Sequence, residues 1–414
     1  MMRNVLGMIL AGGRGTRLHP LTEHRAKPAV PFGGTYRLID FTLSNCLNSG
    51  LRKIVVLTQY KSSSLTRHLN SAWNIFTREI GEFVEVLPPQ KRIKEEWYEG
   101  TADAIYQNIF TIEGENPDQV FVLGGDHIYK MNYRKMLDDH RENNAQATIS
   151  VTDVPREEAG AFGVLEVNED FEVIGFQEKP EKPATIPDHP DRSLVSMGIY
   201  CFETGTLCSR LREDAELGAS ETNHDFGMDI LPRMVDSDQR VQAHWFEDEN
   251  RTGENESQYW KDVGTVESYY KANMDLVAVS PRFNLYDRHW PVRTYHGQYP
   301  PAKFVFDDDD RRGMAVDSIV SKGVIISGGC VRRSVISPGV FIDSGSRVEN
   351  SIIMDGVQIG KDCEIKNTII DKNATIADNT ELGGKEEREK DRHYQTEEGL
   401  VVVRRGYPED DFGY

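Results

Sequence analysis

The last hundred residues repeat themselves at a fixed interval. Arg333-Ser-Val-Ile336, Asn350-Ser-Ile-Ile353 and Asn367-Thr-Ile-Ile370 recur every 17 residues, and Gly323-Val, Gly339-Val, Gly356-Val and Asn373-Ala recur at 16, 17 and 17. A unit this short cannot bury an apolar face alone, so stable structure requires stacking on its neighbours. Brief branched-apolar runs with Gly, Ser, Asn and Asp at the corners predict three short strands per turn, a parallel β-helix of a few coils. Taken alone, such a coil fits an acyltransferase as well as an assembly module. Its exposed end or face invites partner subunits, so an oligomer is expected.

The preceding 280 residues read differently. Ile54-Val-Val-Leu57, Phe83-Val-Glu-Val-Leu87, Val120-Phe-Val-Leu123 and Ala147-Thr-Ile-Ser-Val151 have the length and branched residues of strands, while Tyr106 to Ile112 and Tyr133 to His140 carry helical spacing. The alternation predicts a Rossmann-like α/β sheet with helices on both faces, whose ligands sit beyond the carboxyl ends of its strands. Pro281, Pro291, Pro300, Pro301 and the acidic run Asp307 to Asp310 mark a connecting region, the acids being read as solvated surface. The chain of 414 residues thus divides into 1–280, a connection over 281–313, and the coil with its tail over 314–414.

One strand end stands out. The apolar run Val5 to Leu10 breaks into Ala11-Gly12-Gly13-Arg14-Gly15-Thr16-Arg17, with Lys27 ten residues on. Glycines let backbone N–H groups approach an anion, and the three cations add the charge that glycines lack. The spacing matches neither the dinucleotide fingerprint nor the P-loop. A tight turn needing positive φ would explain the glycines alone; with the cations, the loop reads as a polyphosphate site.

Charge narrows the partners. With 48 Lys and Arg against 67 Asp and Glu the net charge is −19, which opposes binding to nucleic acid or to an anionic membrane and leaves basic clusters for small anions. The five cysteines are scattered without a C-x-x-C pair, so neither a zinc site nor a disulfide framework is indicated, and a cytoplasmic setting fits. No apolar run approaches the ~18 residues of a membrane span.

Further motifs carry chemistry. Val120-Phe-Val-Leu-Gly-Gly-Asp126 ends a strand in two glycines and an acid, which would suit either a helix cap or a ligand-binding carboxylate. Asp262 in Tyr259-Trp-Lys-Asp-Val-Gly264-Thr265 precedes an amphipathic helix, although Thr265 is better placed as its cap. The two acids can meet at neighbouring strand ends of one sheet. Glu178-Lys179-Pro180 reads by itself as a surface turn. Gly100 and Thr101 open a helix and offer backbone donors, and the aromatic residues just before them would serve equally as core.

These residues together identify a resemblance. Leu-Ala-Gly-Gly-Arg-Gly-Thr-Arg-Leu, Arg25-Ala-Lys-Pro-Ala-Val30, Phe176-Gln-Glu-Lys-Pro180, Asp225-Phe-Gly227 and Tyr286-Asp-Arg-His-Trp-Pro resemble the sugar nucleotidyltransferases, and within them the glucose-1-phosphate adenylyltransferases. The resemblance spans nearly the whole chain. It implies a nucleotidyltransferase domain followed by a left-handed β-helix for assembly and regulation, commonly in a cytoplasmic homotetramer. It implies transfer of AMP from ATP to glucose 1-phosphate, giving ADP-glucose for glycogen or another α-glucan.

Site roles follow from the same resemblance. Asp126 and Asp262 would hold Mg²⁺, with Arg17 and Lys27 on the departing phosphates. Gly12, Gly13, Arg14, Gly15, Thr16, Gln90, Gly100 and Thr101 would bind the nucleotide, Gln90 reading the adenine. Tyr98, Gly163, Glu178, Lys179 and Ser196 would bind glucose 1-phosphate. His24, Arg25 and Arg37 fall where family members take small anionic effectors, but His24 replaces a frequent lysine, as Met228 does, and Glu99 stands where some relatives have arginine. A non-catalytic regulatory subunit and a transferase using another nucleotide are the competing readings. Retention of Lys27, Asp126, Lys179 and Asp262 favours an active enzyme.

Overall fold

The structure, a computed structural model, describes residues 2, 4–89, 97–187, 189–218, 220–237, 239–250, 258–308, 311–384 and 393–406. Four strands, β1 (Val5–Ala11), β2 (Lys53–Thr58), β3 (Phe83–Leu87) and β4 (Gln119–Gly124), lie parallel in the order β4-β1-β2-β3. Five more complete a nine-stranded sheet: β5 (Ala147–Pro155), β6 (Gly163–Val167), β7 (Val173–Glu178), β8 (Arg192–Glu203) and β9 (Val241–Trp245). The long β8 runs antiparallel to β4, β5 and β6, making the sheet mixed.

Side-chain alternation along β1 shows why both faces are covered. Leu6 and Met8 point into one apolar cluster with Ile105, Ile112, Leu207 and Leu211, whereas Val5 and Ile9 point into another with Leu43, Leu69, Tyr133 and Met136. A strand apolar on both sides needs a helical layer on each. The helical segment expected over 106–112 is two helices, Thr101–Tyr106 and Ile109–Glu115. Asn108 breaks it: its side-chain amide donates to the Ala104 carbonyl at 2.8 Å while its backbone N–H turns to Ile105, one residue short of helical spacing.

The repeat forms a three-sided coil of parallel strands. Ile319–Val320, Val335–Ile336, Ile352–Ile353 and Thr368–Ile370 stack in register on one side, extended by Val401–Val403 from the tail. Lys303–Val305, inside the proline-marked stretch, pairs with Ile325–Ser327 as a first rung. Corners recur with left-handed backbone: Asp317, Arg333, Asn350 and Asn367 lie at φ 47, 42, 47 and 45°, and Gly323, Gly339, Gly356 and Asn373 at 74, 70, 70 and 58°. Gly and Asn tolerate this region best, which is why they punctuate the sequence. Inside, Ser334 and Ser351 each accept the backbone N–H one coil on, from Ser351 and Thr368, at 3.1 and 3.2 Å.

A third apolar cluster joins the two parts: Leu18, Leu21 and Val30 from the glycine loop's continuation, Tyr269 from the helix Val266–Asp275, and Ile352, Met354, Ile369 and Val402 from the coil. The coil therefore backs directly onto the segment that carries Lys27.

Candidate active site

The glycine loop leaves β1 at Ala11 and turns at Gly15, whose φ of 61° starts the short helix Thr16–Leu18. Thr22 Oγ1 donates to the Gly15 carbonyl at 2.8 Å and pins the turn. The glycines differ in what they permit. A Cβ on Gly15 would press on Thr22 and Lys27 and one on Gly12 on Gln59, whereas one on Gly13 would meet nothing among the described residues within 4 Å. Gly13 thus faces open space, as backbone approached by a ligand does. Leu10 to Arg17, with Lys27, Pro28, Asp126 and Gly264, line a cavity of about 270 Å³.

At its floor three charged groups meet. Lys27 Nζ lies 2.8 Å from Asp126 Oδ2 and 3.1 Å from Asp262 Oδ1, and His127 Nε2 lies 3.7 and 3.9 Å from the two carboxylates. Asp126 follows β4, as expected. Asp262 does not come from a neighbouring strand of the same sheet: Trp260–Asp262 pairs antiparallel with His127–Tyr129 in a separate two-stranded ribbon, Asp262 opposite His127. Thr265 accepts the Ser268 N–H and caps the following helix, so Asp262 is released from that task.

Electrostatics favour an ionised Asp126 here. Burial raises the Asp126 carboxyl, but the Lys27 ammonium and His127 outweigh it and hold it at about 2. Burial likewise lowers the Lys27 ammonium, yet Asp126 and Asp262 leave it raised overall. Ligand atoms of Asp126, His127 and Asp262 all lie within 4.8 Å of one another, and His127 Nδ1 is buried without a hydrogen-bond partner among the described residues. Two carboxylate oxygens, one from the bend after β4 and one from the strand Trp260–Asp262, fit a hard divalent cation, which binds oxygen and keeps several waters.

Arg17 reaches Gly264, its Nη2 being 3.5 Å from where a Cβ there would stand. Arg14 turns aside: its guanidinium lies 5.5 Å from the Tyr60 ring, which stacks on Trp97 at 5.0 Å. Tyr98 accepts from Asn108 Nδ2 at 3.0 Å, and its carbonyl accepts from Gln59. The helix start at Gly100 and Thr101 is less open than the sequence suggested. The N–H groups of Ala102 and Asp103 donate to the His224 carbonyl, whose approach also excludes a Cβ at Gly100, and the Thr101 hydroxyl donates to Asp225. Gln90 lies outside the described residues.

A second group assembles through the pairing of β6 with β7, which sets Gly163 opposite Glu178. A Cβ on Gly163 would come within 2.9 Å of Glu178 Oε2 and 2.6 Å of Phe176, and one on Gly227 within 2.7 Å of the same Glu178 oxygen. Glu178 therefore sits between two glycines cleared for it. Lys179, at φ 47°, places Nζ 2.6 Å from Glu178 Oε1 and keeps its head half-exposed. Ser196 lies at an irregularity of β8, its Oγ 3.5 Å from the Tyr200 hydroxyl and accepting the Gly198 N–H. Phe162, Trp260 and His127, in tilted and edge-to-face contact with centroids 5.2 and 5.4 Å apart, run from this group to the carboxylates.

The effector candidates do not share one open face. His24 is exposed, but Arg25 is 2% exposed and donates to Asp371 on the coil at 2.8 Å, while Arg37 donates to the Ala29 carbonyl at 2.6 Å. Lys372 and Asp355 lie in the same cluster; burial, with Arg37 and Arg25 nearby, brings the Lys372 ammonium down to about 8.

Residue reading assigned no role to His127, Tyr200, Asp225 or Trp260. His127 and Trp260 adjoin the two acids in sequence, Tyr200 lies four residues after Ser196, and Asp225 opens Asp225-Phe-Gly227, so position was the available signal. Asp225 accepts from Thr101 and from the N–H groups of Gly227 and Met228, opening the wide helical turn Phe226–Ile230.

Comparison with known proteins completes the picture. Residues 6–278 match the Nucleotidyl transferase family and residues 300–403 the GlmU-like, C-terminal hexapeptide family. A protein of Rhodopirellula baltica called glucose-1-phosphate adenylyltransferase is 53% identical over 98% of this chain and 91% of its own length. Proteins of the same name from Hydrogenovibrio crunogenus and Koribacter versatilis are 51% and 49% identical, covering 97% and 98% of this chain and 94% and 96% of their own.

Proposed function

The chain belongs to the nucleotidyl transferases, in the glucose-1-phosphate adenylyltransferase family, and we infer that it transfers AMP from ATP to glucose 1-phosphate, releasing pyrophosphate and ADP-glucose. The fold is that family's: a mixed α/β sheet and a left-handed parallel β-helix built from hexapeptide repeats. The observation that carries the mechanism is Lys27 spanning Asp126 and Asp262 at the mouth of the glycine loop. The regulatory-subunit reading would leave no reason for that arrangement to persist.

The reaction needs no nucleophilic side chain. The phosphate of glucose 1-phosphate attacks the α-phosphorus of ATP in line, and the protein's work is positioning and charge neutralisation. Backbone N–H groups of Gly12 to Thr16 cradle the triphosphate, with Arg14 at its rim. Arg17 and Lys27 stabilise charge that accumulates on the departing pyrophosphate. Asp126 and Asp262 would hold Mg²⁺, which supplies further neutralisation on the phosphates when bound.

On the acceptor side, Lys179 holds the phosphate of the sugar, Glu178 takes sugar hydroxyls in the space kept by Gly163, and Ser196 and Tyr98 complete the pocket. Gln90, Gly100 and Thr101 belong to the nucleotide side. Support for this division is the separation of the two groups by the aromatic row Phe162, Trp260, His127. Residues 1–280 would form the catalytic part and 314–414 the assembly and regulatory part, with the connection over 281–313 already contributing a rung to the coil at Lys303–Val305. A homotetramer follows from the family resemblance, and small anions at His24, Arg25 and Arg37 would regulate it by competing for the cluster against the coil. Among the described residues no helix is long and apolar enough to cross a membrane; a cytoplasmic setting rests on the charge and the scattered cysteines.

The stereochemical course tests the mechanism. With ATP made chiral at the α-phosphorus by sulfur, single in-line displacement gives inversion in the sugar nucleotide; retention would require a covalent nucleotidyl-protein and overturn it.

A further inference from the structure

Lys27 does something in this structure that binding of a leaving phosphate does not require: its ammonium bridges the two carboxylates. The bridging oxygens are Asp126 Oδ2 and Asp262 Oδ1, at 2.8 and 3.1 Å, and the Lys27 side chain is 11% exposed. A Mg²⁺ ion bound to those same oxygens at about 2.1 Å would need the gap that the ammonium fills. His127 Nε2 stands farther off, 3.7 Å from Asp126 Oδ1 and 3.9 Å from Asp262 Oδ1, and does not enter the gap.

The ammonium has somewhere else to go. Its stem passes the glycine loop so closely that a Cβ on Gly15 would lie 3.3 Å from Lys27 Cβ, and one cavity is lined by both the loop and Asp126. Lysine carries a compact charge on four rotatable carbons, so rotation of the side chain moves it from the carboxylates to the loop without moving the backbone. An incoming cation alone would strand the ammonium in a largely buried place, at an electrostatic cost. A polyphosphate arriving with the cation gives Lys27 a new anion at the same moment.

We propose that Lys27 is the resident counter-ion of the Asp126 and Asp262 pair, exchanged for a divalent cation only when a polyphosphate takes over its ammonium, so that metal and nucleotide enter together. The proposal rests on the reading that these carboxylates hold the cation. Lys27 thereby couples the two binding events reciprocally: whatever strengthens one strengthens the other by the same factor. The return of the ammonium to the carboxylates then favours departure of the cation together with pyrophosphate.

Mn²⁺ binding to the nucleotide-free full-length protein, read by electron paramagnetic resonance, tests this without turnover. Lys27→Met and Lys27→Gln should each bind Mn²⁺ at least tenfold more tightly than the unsubstituted protein, and adding Asp126→Asn should abolish the gain. Variants that melt cooperatively yet bind Mn²⁺ no better would overturn the exchange. In the unsubstituted protein, sulfate, an anion for Lys27 that chelates Mn²⁺ weakly, should tighten Mn²⁺ binding several-fold, and no change would count against it. A separate arm with ATP present isolates the underlying reading: if Asp126→Asn leaves Mn²⁺ recruitment by the ATP complex unaltered, the carboxylates do not hold the cation and both ideas fail.

Discussion

Removing Asp371 should loosen the nucleotide loop from a distance. Arg25 and Asp371 are 2% and 5% exposed and 2.8 Å apart, one on the segment that carries Lys27 and the other on the coil. Among the described residues of the coil, the other hydrogen-bond partner of Arg25 is the Met354 sulfur, at 3.9 Å. In Asp371→Ala the guanidinium keeps its charge and burial but loses its carboxylate, a change that costs about 3–5 kcal/mol. Arg25→Met strands the Asp371 carboxylate in turn, but should cost less, because that carboxylate keeps the Lys372 N–H at 2.7 Å and can take up a proton; the double variant should cost less than the sum of the singles by about 2 kcal/mol or more. Urea unfolding followed by tryptophan fluorescence measures all four proteins. Because Arg25 precedes Lys27 by two residues, the Michaelis constant for ATP should rise in Asp371→Ala more than that for glucose 1-phosphate. A loss below about 1 kcal/mol, or strict additivity of the singles, would refute the claim that the coil holds the loop through this pair.

Three other outcomes are expected. Gly163→Ala places a methyl against Phe176 and Glu178, an overpacking of roughly 1–3 kcal/mol that should weaken glucose 1-phosphate while sparing ATP; steady-state kinetics with each substrate varied decides it. Lys179→Ala removes a charge-assisted contact worth about 1.5–3 kcal/mol and should raise the glucose 1-phosphate constant roughly 10- to 100-fold, and an equal loss for ATP would contradict its placement. Lys372, lowered to about 8 by burial, is deprotonated in the fold at pH values where the unfolded chain still binds its proton, so this group makes stability rise between about pH 8 and 10.5. Buried Cys46, Tyr129 and Tyr269, raised in the fold, act in the opposite sense in both proteins, so the melting temperature of the unsubstituted protein relative to Lys372→Met should climb across that range, and a constant difference would contradict the assignment.

Sequence patterns exposed some of this and hid the rest for physical reasons. The coil was readable because its corners need left-handed backbone, and Gly323, Gly339 and Gly356 or Asn350 and Asn367 announce that need at a fixed interval. Arg333 sits at such a corner without announcing it; only its place in the repeat betrays it. The β1 strand and its glycine turn were equally plain. Asp126 and Asp262 could be brought together in principle, but the ribbon that unites them is three residues long on each side, below the length at which alternation says anything. The break at Asn108 depends on one side-chain hydrogen bond that helical spacing does not register. Burial of Arg25 was hidden altogether, since its partner Asp371 lies 346 positions away.

Pyrophosphate release from purified protein with Mg²⁺ and glucose 1-phosphate, supplied in parallel with ATP, UTP, GTP or dTTP, addresses the functional reading directly, and Asp126→Asn ties it to the site. Release should be strongest with ATP and should fall at least a hundredfold in Asp126→Asn while the melting temperature stays within a few degrees. Preference for another nucleotide, or full activity in Asp126→Asn, would contradict it.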